Sequence, residues 1–328
     1  MTSSSMTATS STLQKRIFIT GASGCIGHYI VEALGKNPNY HLDLLLRNPD
    51  KLNPKLAALP SVHIHPGDLK NIRQHRDLLQ QADIAIPIAT CWGGSEAFDI
   101  NVVKNIELIN SLDPDRCEQV LYFSTASILG NDGQALKEAG QIGTEYIRSK
   151  YDCALRLPKL KMASKITALY PTLVLGGDDE KPRSHLTGGL PEIMRYIRLI
   201  RHLKVDASFH FIHAYDIAQV VANLVDNPPQ ETGPRHFVLG GEPVFLNDVI
   251  TSASQHLSCP TRIKVPLSNT LANVIIDWFN IQMATWDRFC MNYRHFTYTN
   301  AVSPATFDLD PYCQSFEDVL EQSGVAAK

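Results

Sequence analysis

The sequence predicts an α/β fold, a doubly wound parallel sheet followed by a smaller, mainly helical C-terminal region. Two observations carry this expectation. Short apolar, β-branched runs alternate with segments of helical periodicity through the first half of the chain, and the first such run ends in a glycine turn that opens directly into a helix. Strands separated by helices need crossover connections, so they pair in parallel and are covered on both faces.

The elements follow in order. "RIFIT" (Arg16 to Thr20) reads as the first strand and "HYIVEALGKN" as the helix after the turn. "HLDLLLRNP" reads as a second strand closed by Asn48-Pro49, "SVHIHPGDL" as a third, "ADIAIPIAT" as a fourth and "EQVLYFSTA" as a fifth. Between the last two, "AFDINVVKNIELINSL" repeats apolar residues at i, i+3, i+4 and i+7, the spacing of a half-buried helix. A strand "KITALYPTLVLGG" comes next, and the regular alternation then stops. "GGDDEKPRSHLTGGLP" reads as a long loop, and helices are expected to dominate beyond it. The expected organisation is a tail over 1–14, a dinucleotide-binding domain over 15–176 to which 206–226 returns, and a substrate-binding domain over 177–328.

The turn "TGASGCIG" places Gly21, Gly24 and Gly27 at G-x-x-G-x-x-G spacing, with Ser23, Cys25 and Ile26 between them. One glycine permits the tight turn, another lets backbone approach a pyrophosphate, and the third allows close helix-strand contact. The helix N-terminus then presents free N–H groups to the phosphates. This context makes the fold Rossmann-type and the cofactor a nicotinamide dinucleotide. The second strand ends in Arg47 rather than an acid. A guanidinium there pairs with a 2′-phosphate, so NADP(H) is expected, with NAD(H) as the alternative.

Composition narrows the partners. Thirty basic residues stand against thirty-three acidic ones without long runs of either sign, so neither nucleic acid nor an anionic membrane is an expected partner. Seven cysteines are scattered with no C-x-x-C pair, which predicts a reducing, cytoplasmic setting without a disulfide framework or zinc site. No apolar run has the length of a membrane helix. The Ser/Thr-rich opening lacks the n- and h-regions of a secretory signal; it reads as a tail, with a transit peptide as the other possibility.

One further pair stands out. "YIRSK" sets Tyr146 and Lys150 four residues apart, on one face of a helix. With the glycine turn and "FSTASILG", it makes the chain resemble the extended short-chain dehydrogenase/reductase family over almost its whole length. That resemblance implies catalytic roles for Thr125, Tyr146 and Lys150, with Ser124 as the neighbour held in reserve. It also implies that Asp68 and the adjoining Leu69 contact the adenine, that Ala89 lies under the cofactor and that Asn101 occupies the family's asparagine position. The chemistry is coherent: a lysine ammonium and a nicotinamide positive charge both favour the phenolate of a nearby tyrosine.

The departures from that family's patterns shape the functional expectation. Ala126 and Ser127 follow Thr125, where dehydratases carry an Asp-Glu pair. "ALYPTLVLGG" is apolar where sugar-nucleotide epimerases carry Arg and Asn. Together with Arg47, these lead to an NADPH-dependent reductase acting on the carbonyl of a small, partly apolar substrate, or on the corresponding alcohol in reverse. A nucleotide-sugar epimerase retaining NAD is the first alternative, and a non-catalytic NADP-binding scaffold the second.

Other features have plainer readings. His63 and His65 read as an edge-strand surface rather than a metal site, and Cys25 as packing. His210, His213 and the pair Asp178-Asp179 fall near the substrate side. The aromatics Trp278, Phe279, Trp286, Phe289, Tyr293 and Phe296 read as core or homodimer contact, with a substrate wall as the alternative.

Overall fold

A computed structural model describes residues 14–228, 230, 233–278, 282–323 and 325. Phe279 and the tail up to residue 13 lie outside the described residues. The strands Lys15–Thr20 (β1), Tyr40–Leu46 (β2), Val62–Pro66 (β3), Ile84–Pro87 (β4), Gln119–Phe123 (β5) and Ile166–Pro171 (β6) form one parallel sheet. A seventh strand, Arg235–Leu239, joins it from the stretch that sequence assigns to the substrate side. The order is Arg235–Leu239, β6, β5, β4, β1, β2, β3. The chain therefore adds strands outward in one direction from β1 through β3 and in the other from β4 onward, so the strand order reverses between β1 and β4. In open sheets of this kind, ligands bind beyond the carboxyl ends of the strands at that reversal.

Alternation along β1 shows how the sheet is covered. Ile17 and Ile19 face one side, where helices Cys25–Gly35 and Ala214–Asp226 supply Ile30, Leu34, Val220 and Leu224. Phe18 faces the other, packing in a core with Leu108, Ile109, Ile147 and Cys153. The period of two along the strand and of 3.6 along the helices makes both cores possible at once. A third, smaller cluster around Leu175, Leu190, Phe211, Ala253 and Leu320 holds the remaining helices together. No helix among the described residues is long and apolar enough to cross a membrane.

Three local features differ from the sequence expectation. The run "KITALYPTLVLGG" is broken at Thr172, whose N–H and hydroxyl both donate to the Leu239 carbonyl. Leu173–Leu175 then leaves the main sheet to pair with Phe211–His213. The expected long loop after Gly177 is shorter, because Ser184 accepts a hydrogen bond from Thr187 N–H and starts helix His185–Arg195. The helix expected before β5 opens with a π-helical turn over Asp99–Lys104, where the Asn105 side-chain amide donates to the Ile100 carbonyl.

β3 is an edge strand, and its imidazoles sit beside a buried acid. Asp43 is 2 % exposed. Its Oδ2 accepts from Arg16 Nε and Nη2 at 3.1 and 2.8 Å, while Oδ1 meets His65 Nε2 at 2.7 Å and His41 Nε2 at 3.2 Å. His63 stacks on His41 with ring centroids 3.8 Å apart. Burial alone would raise the Asp43 carboxyl. Hydrogen bonds from Arg16 and His65, with the charges of Arg16 and His41, outweigh it and hold the group below the usual carboxylate range. No group of three His, Cys, Asp or Glu among the described residues is placed to hold a metal ion.

Candidate active site

At the carboxyl ends of β1 and β4 lies a cavity of about 930 Å³. Gly21 to Gly27 form one wall, with Gly21 in a left-handed conformation at φ +77°. A Cβ on Gly21 would stand 2.6 Å from the Ala89 N, and one on Gly27 would stand 2.3 Å from the Gly21 carbonyl oxygen. Gly24 is different, since a Cβ there would meet only the Gly21 oxygen at 3.4 Å. Two glycines are thus demanded by packing, while the third lies on the cavity wall with space beside it.

The helix that starts at Cys25 carries no side-chain cap and no acid in its first turn. Its first N–H donors and its positive end are left for an anion at the cavity wall, so the turn fits a dinucleotide pyrophosphate. Burial raises the Cys25 thiol to about 12, which leaves it a packing group rather than a nucleophile.

Arg47, Asn48, Lys51, Asp68, Leu69 and Lys70 line one end of the same cavity. Asn48 shapes this region by accepting a hydrogen bond from Asp50 N–H at 3.1 Å, which closes the turn carrying Lys51. Asp68 accepts from Lys70 N–H at 2.9 Å, and Lys70 is ion-paired to Glu96. Arg47 is exposed at this rim. An adenosine would find a carboxylate and a cationic edge here.

The opposite end holds the residues singled out for chemistry. Thr125, just beyond β5, caps the turn Ala126–Ile128, its Oγ1 lying 3.3 Å from Ser127 N. Tyr146 and Lys150 project from helix Glu145–Ala154, which begins where Thr144 accepts from Ile147 N–H. Burial pushes the Tyr146 phenol up to about 12, and a hydrogen bond with Thr125 acts against that rise. Lys150 is buried, donates to the Phe123 carbonyl at 2.8 Å, and lies over the Tyr122 ring. Burial lowers its ammonium to about 8. Ser124 is buried, with no hydrogen-bond partner for its hydroxyl among the described residues, and Thr125 is the hydroxyl that bonds the phenol.

Every residue that sequence assigned to cofactor or catalysis lines this cavity except Asn101. Asn101 is fully buried behind it. Its Oδ1 accepts from Cys91 N–H at 2.8 Å, and its Nδ2 donates to the Cys91 carbonyl and to Ser149 Oγ. With its amide used in this way, Asn101 fixes the loop after β4 instead of facing a ligand. His213 caps helix Ala214–Asp226 and is lowered to about 4 by burial, and His210 is held between the Gly241 carbonyl and Tyr298 N–H. Neither lines the cavity. The aromatic run stacks on itself from Trp286 through Phe289 and Tyr293 to Phe296 and is likewise away from it.

Sequence reading missed Trp92, His185 and Lys51, all on the cavity wall. The signal for Trp92 was present: a tryptophan before Gly93-Gly94, in the segment that follows β4 at the expected cofactor crevice. Reading also missed a tie across the molecule, in which the Tyr298 hydroxyl donates to the Ala126 carbonyl at 2.7 Å beside Thr125.

Comparison with known proteins gives this geometry a context. The model of the NAD dependent epimerase/dehydratase family matches residues 17–240. No functionally curated protein matches the chain in sequence. Among solved structures, the protein gox2253 superposes with a TM-score of 0.67 at 19 % identity, over 95 % of this chain and all 100 % of that one. A UDP-glucuronic acid 4-epimerase variant from Bacillus cereus, solved with a substrate analogue and NAD, gives 0.62 at 17 % identity, covering 94 % of this chain and 97 % of that one. The dTDP-glucose 4,6-dehydratase of Bacillus anthracis with NAD gives 0.64 at 12 % identity, over 94 % and 96 %. At these identities the likenesses establish the shared fold.

Proposed function

The chain belongs to the NAD dependent epimerase/dehydratase family, and from that premise we propose that it interconverts a secondary alcohol and its ketone by hydride transfer, with Tyr146 handling the proton on oxygen. One observation carries the reading: the glycine turn, Thr125, Tyr146 and Lys150 share the walls of a single cavity. When bound, the nicotinamide supplies the hydride acceptor and donor. Thr125 would hold the substrate oxygen by a hydrogen bond. Tyr146 Oη would take the hydroxyl proton in oxidation and return it in reduction. The Lys150 ammonium, one helical turn on, would lower the cost of the phenolate, which burial disfavours.

The finer readings divide on cofactor and substrate. Family membership, together with the epimerase and dehydratase neighbours solved with NAD, supports a nucleotide-sugar epimerase that keeps NAD bound. It does so more strongly than it supports net carbonyl reduction, the leading expectation from sequence. Dehydration is disfavoured because Ala126 and Ser127 follow Thr125 and provide no acid-base pair. Net reduction with NADPH keeps one specific support, the cationic rim of Arg47 and Lys51 at the adenosine end.

The test begins with the nucleotide released by denaturing the purified protein. The protein is then assayed by NMR for epimerisation of UDP-sugars and by absorbance for NADPH consumption with ketones, with Tyr146→Phe beside the wild type. Retained NAD and an epimerised sugar without net cofactor turnover support the first reading, and NADPH consumption supports the second. A Tyr146→Phe protein as active as wild type would end the hydride-transfer reading in both forms.

A further inference from the structure

Trp92 lies in the loop between β4 and the π-helical turn, and 58 % of it is exposed. Its indole is nonetheless fixed. The ring stacks on Tyr146 with centroids 4.5 Å apart and planes at 28°, and meets His185 edge-on at 4.5 Å and 67°. Two anchors bracket it in the chain. On one side the buried Asn101 amide grips both the N–H and the carbonyl of Cys91. On the other, Gly94 N–H donates to the carboxylate of Glu145, the residue before Tyr146. The loop is therefore registered against the same helix that presents the phenol.

A tryptophan held this firmly is usually core, and this one is left more than half open on a cavity wall. A merely protective indole would be expected to turn its face fully onto protein. Here the stack with Tyr146 orients the ring, while His185, from the start of helix His185–Arg195, closes its edge. What remains is an aromatic surface beside the oxygen at which the proposed reaction occurs.

We infer that Trp92, flanked by His185, is a stacking platform for the substrate. It takes the apolar face of a six-membered ring, aryl or pyranose, that bears or adjoins the reacting carbon. This rests on the hydride-transfer reading of Tyr146 but can fail separately from it. The two ring sources share the chemistry, a flat or CH-lined face laid on an indole.

The experiment uses full-length protein saturated with dinucleotide and compares wild type, Trp92→Ala and Trp92→Phe. One arm measures binding of UDP-glucose against UDP, the other acetophenone against butan-2-one, by ligand-observed NMR, with turnover of each probe followed in parallel. The expected result is that one ring-bearing probe binds wild type and loses about tenfold in affinity in Trp92→Ala. Its control, UDP without the pyranose or butan-2-one without the phenyl ring, is unaffected, as is the dinucleotide, and Trp92→Phe recovers most of the loss. The arm in which this occurs identifies the ring. The platform is overturned if neither ring probe binds, if Trp92→Ala binds as wild type, or if a ring probe and its control weaken alike. Trp92-dependent binding without turnover would leave the platform standing and remove the hydride-transfer reading; turnover indifferent to Trp92 would do the reverse.

Discussion

The Lys150 ammonium and the Phe123 carbonyl, 2.8 Å apart, join the helix that carries the candidate catalytic pair to the end of β5 that leads into Thr125. Burial brings this ammonium from its ordinary 10.5 down to about 8. In the unfolded chain the side chain holds its proton up to a higher pH than in the folded one. Folding is therefore penalised below about 8, and the penalty is relieved as pH rises from 8 to 10.5. The unfolding free energy of wild type relative to Lys150→Met should grow by on the order of 3 kcal/mol between pH 7 and 10.5. Urea denaturation of both proteins across that range measures it; a difference that stays flat would mean that Lys150 is solvated.

Thr125 and Ser124 offer a separation that sequence alone left open. Thr125→Ala should lower kcat on the order of a hundredfold, because the hydroxyl paired with Tyr146 is lost. Tyr146→Phe should lower it by roughly 10² to 10⁴ with dinucleotide affinity retained. Ser124→Ala removes an unpartnered buried hydroxyl and should stay within a few-fold of wild type in activity and stability. Steady-state kinetics on whichever substrate turns over, alongside thermal melts, distinguishes the three.

The glycine turn predicts two different failures. Gly27→Ala forces a methyl against the Gly21 carbonyl oxygen, so its thermal midpoint should fall sharply. Gly24→Ala has room within the protein and should fold normally, yet bind dinucleotide at least about tenfold more weakly because the methyl enters the cavity. Equal loss of stability in both variants would contradict the assignment of Gly24 to the ligand.

Cofactor choice can be read at the cationic rim. If a 2′-phosphate sits there, Arg47→Ala should raise the Kd for NADPH about tenfold and leave that for NADH within about twofold. A ratio of the two constants that does not change would remove the support Arg47 gives to net reduction and leave NAD as the cofactor.

Asp43 predicts an acid-sensitive contribution to stability away from the cavity. Its folded carboxyl is held below its ordinary 3.8. The stabilisation is thus present above 3.8 and disappears as pH falls through the lower folded value. Asp43→Asn leaves Arg16 and two imidazoles without their carboxylate and should cost about 3 kcal/mol at pH 7. Denaturation at decreasing pH should show the gap between variant and wild type narrowing below 3.8.

Most of the parallel sheet was legible because its strands are short continuous apolar runs bounded by turn residues, the pattern of strands buried on both faces. The site was legible where local spacing determines it, in Gly21 to Gly27 and in Tyr146 with Lys150. What escaped depends on contacts between distant segments. The break at Thr172 is set by the Leu239 carbonyl, 67 residues away. Asn101 stands where sequence expects a cofactor contact, yet its amide is bonded to Cys91, 10 residues earlier. Trp92 acquires meaning only because Glu145, 51 residues on, ties down Gly94. Neither periodicity nor composition encodes such pairings.

The bond from the Tyr298 hydroxyl to the Ala126 carbonyl limits how this architecture can be recombined. Grafting the C-terminal half of a relative onto this dinucleotide-binding half, to import a new specificity, would remove an anchor of the segment that carries Thr125. A working chimera would need to retain the tyrosine, together with the His210 ring that accepts from its backbone N–H at 3.0 Å. The two halves are not interchangeable cassettes but mutually dependent parts, and a crossover that respects only the expected domain boundary would yield a protein that binds dinucleotide and turns over poorly.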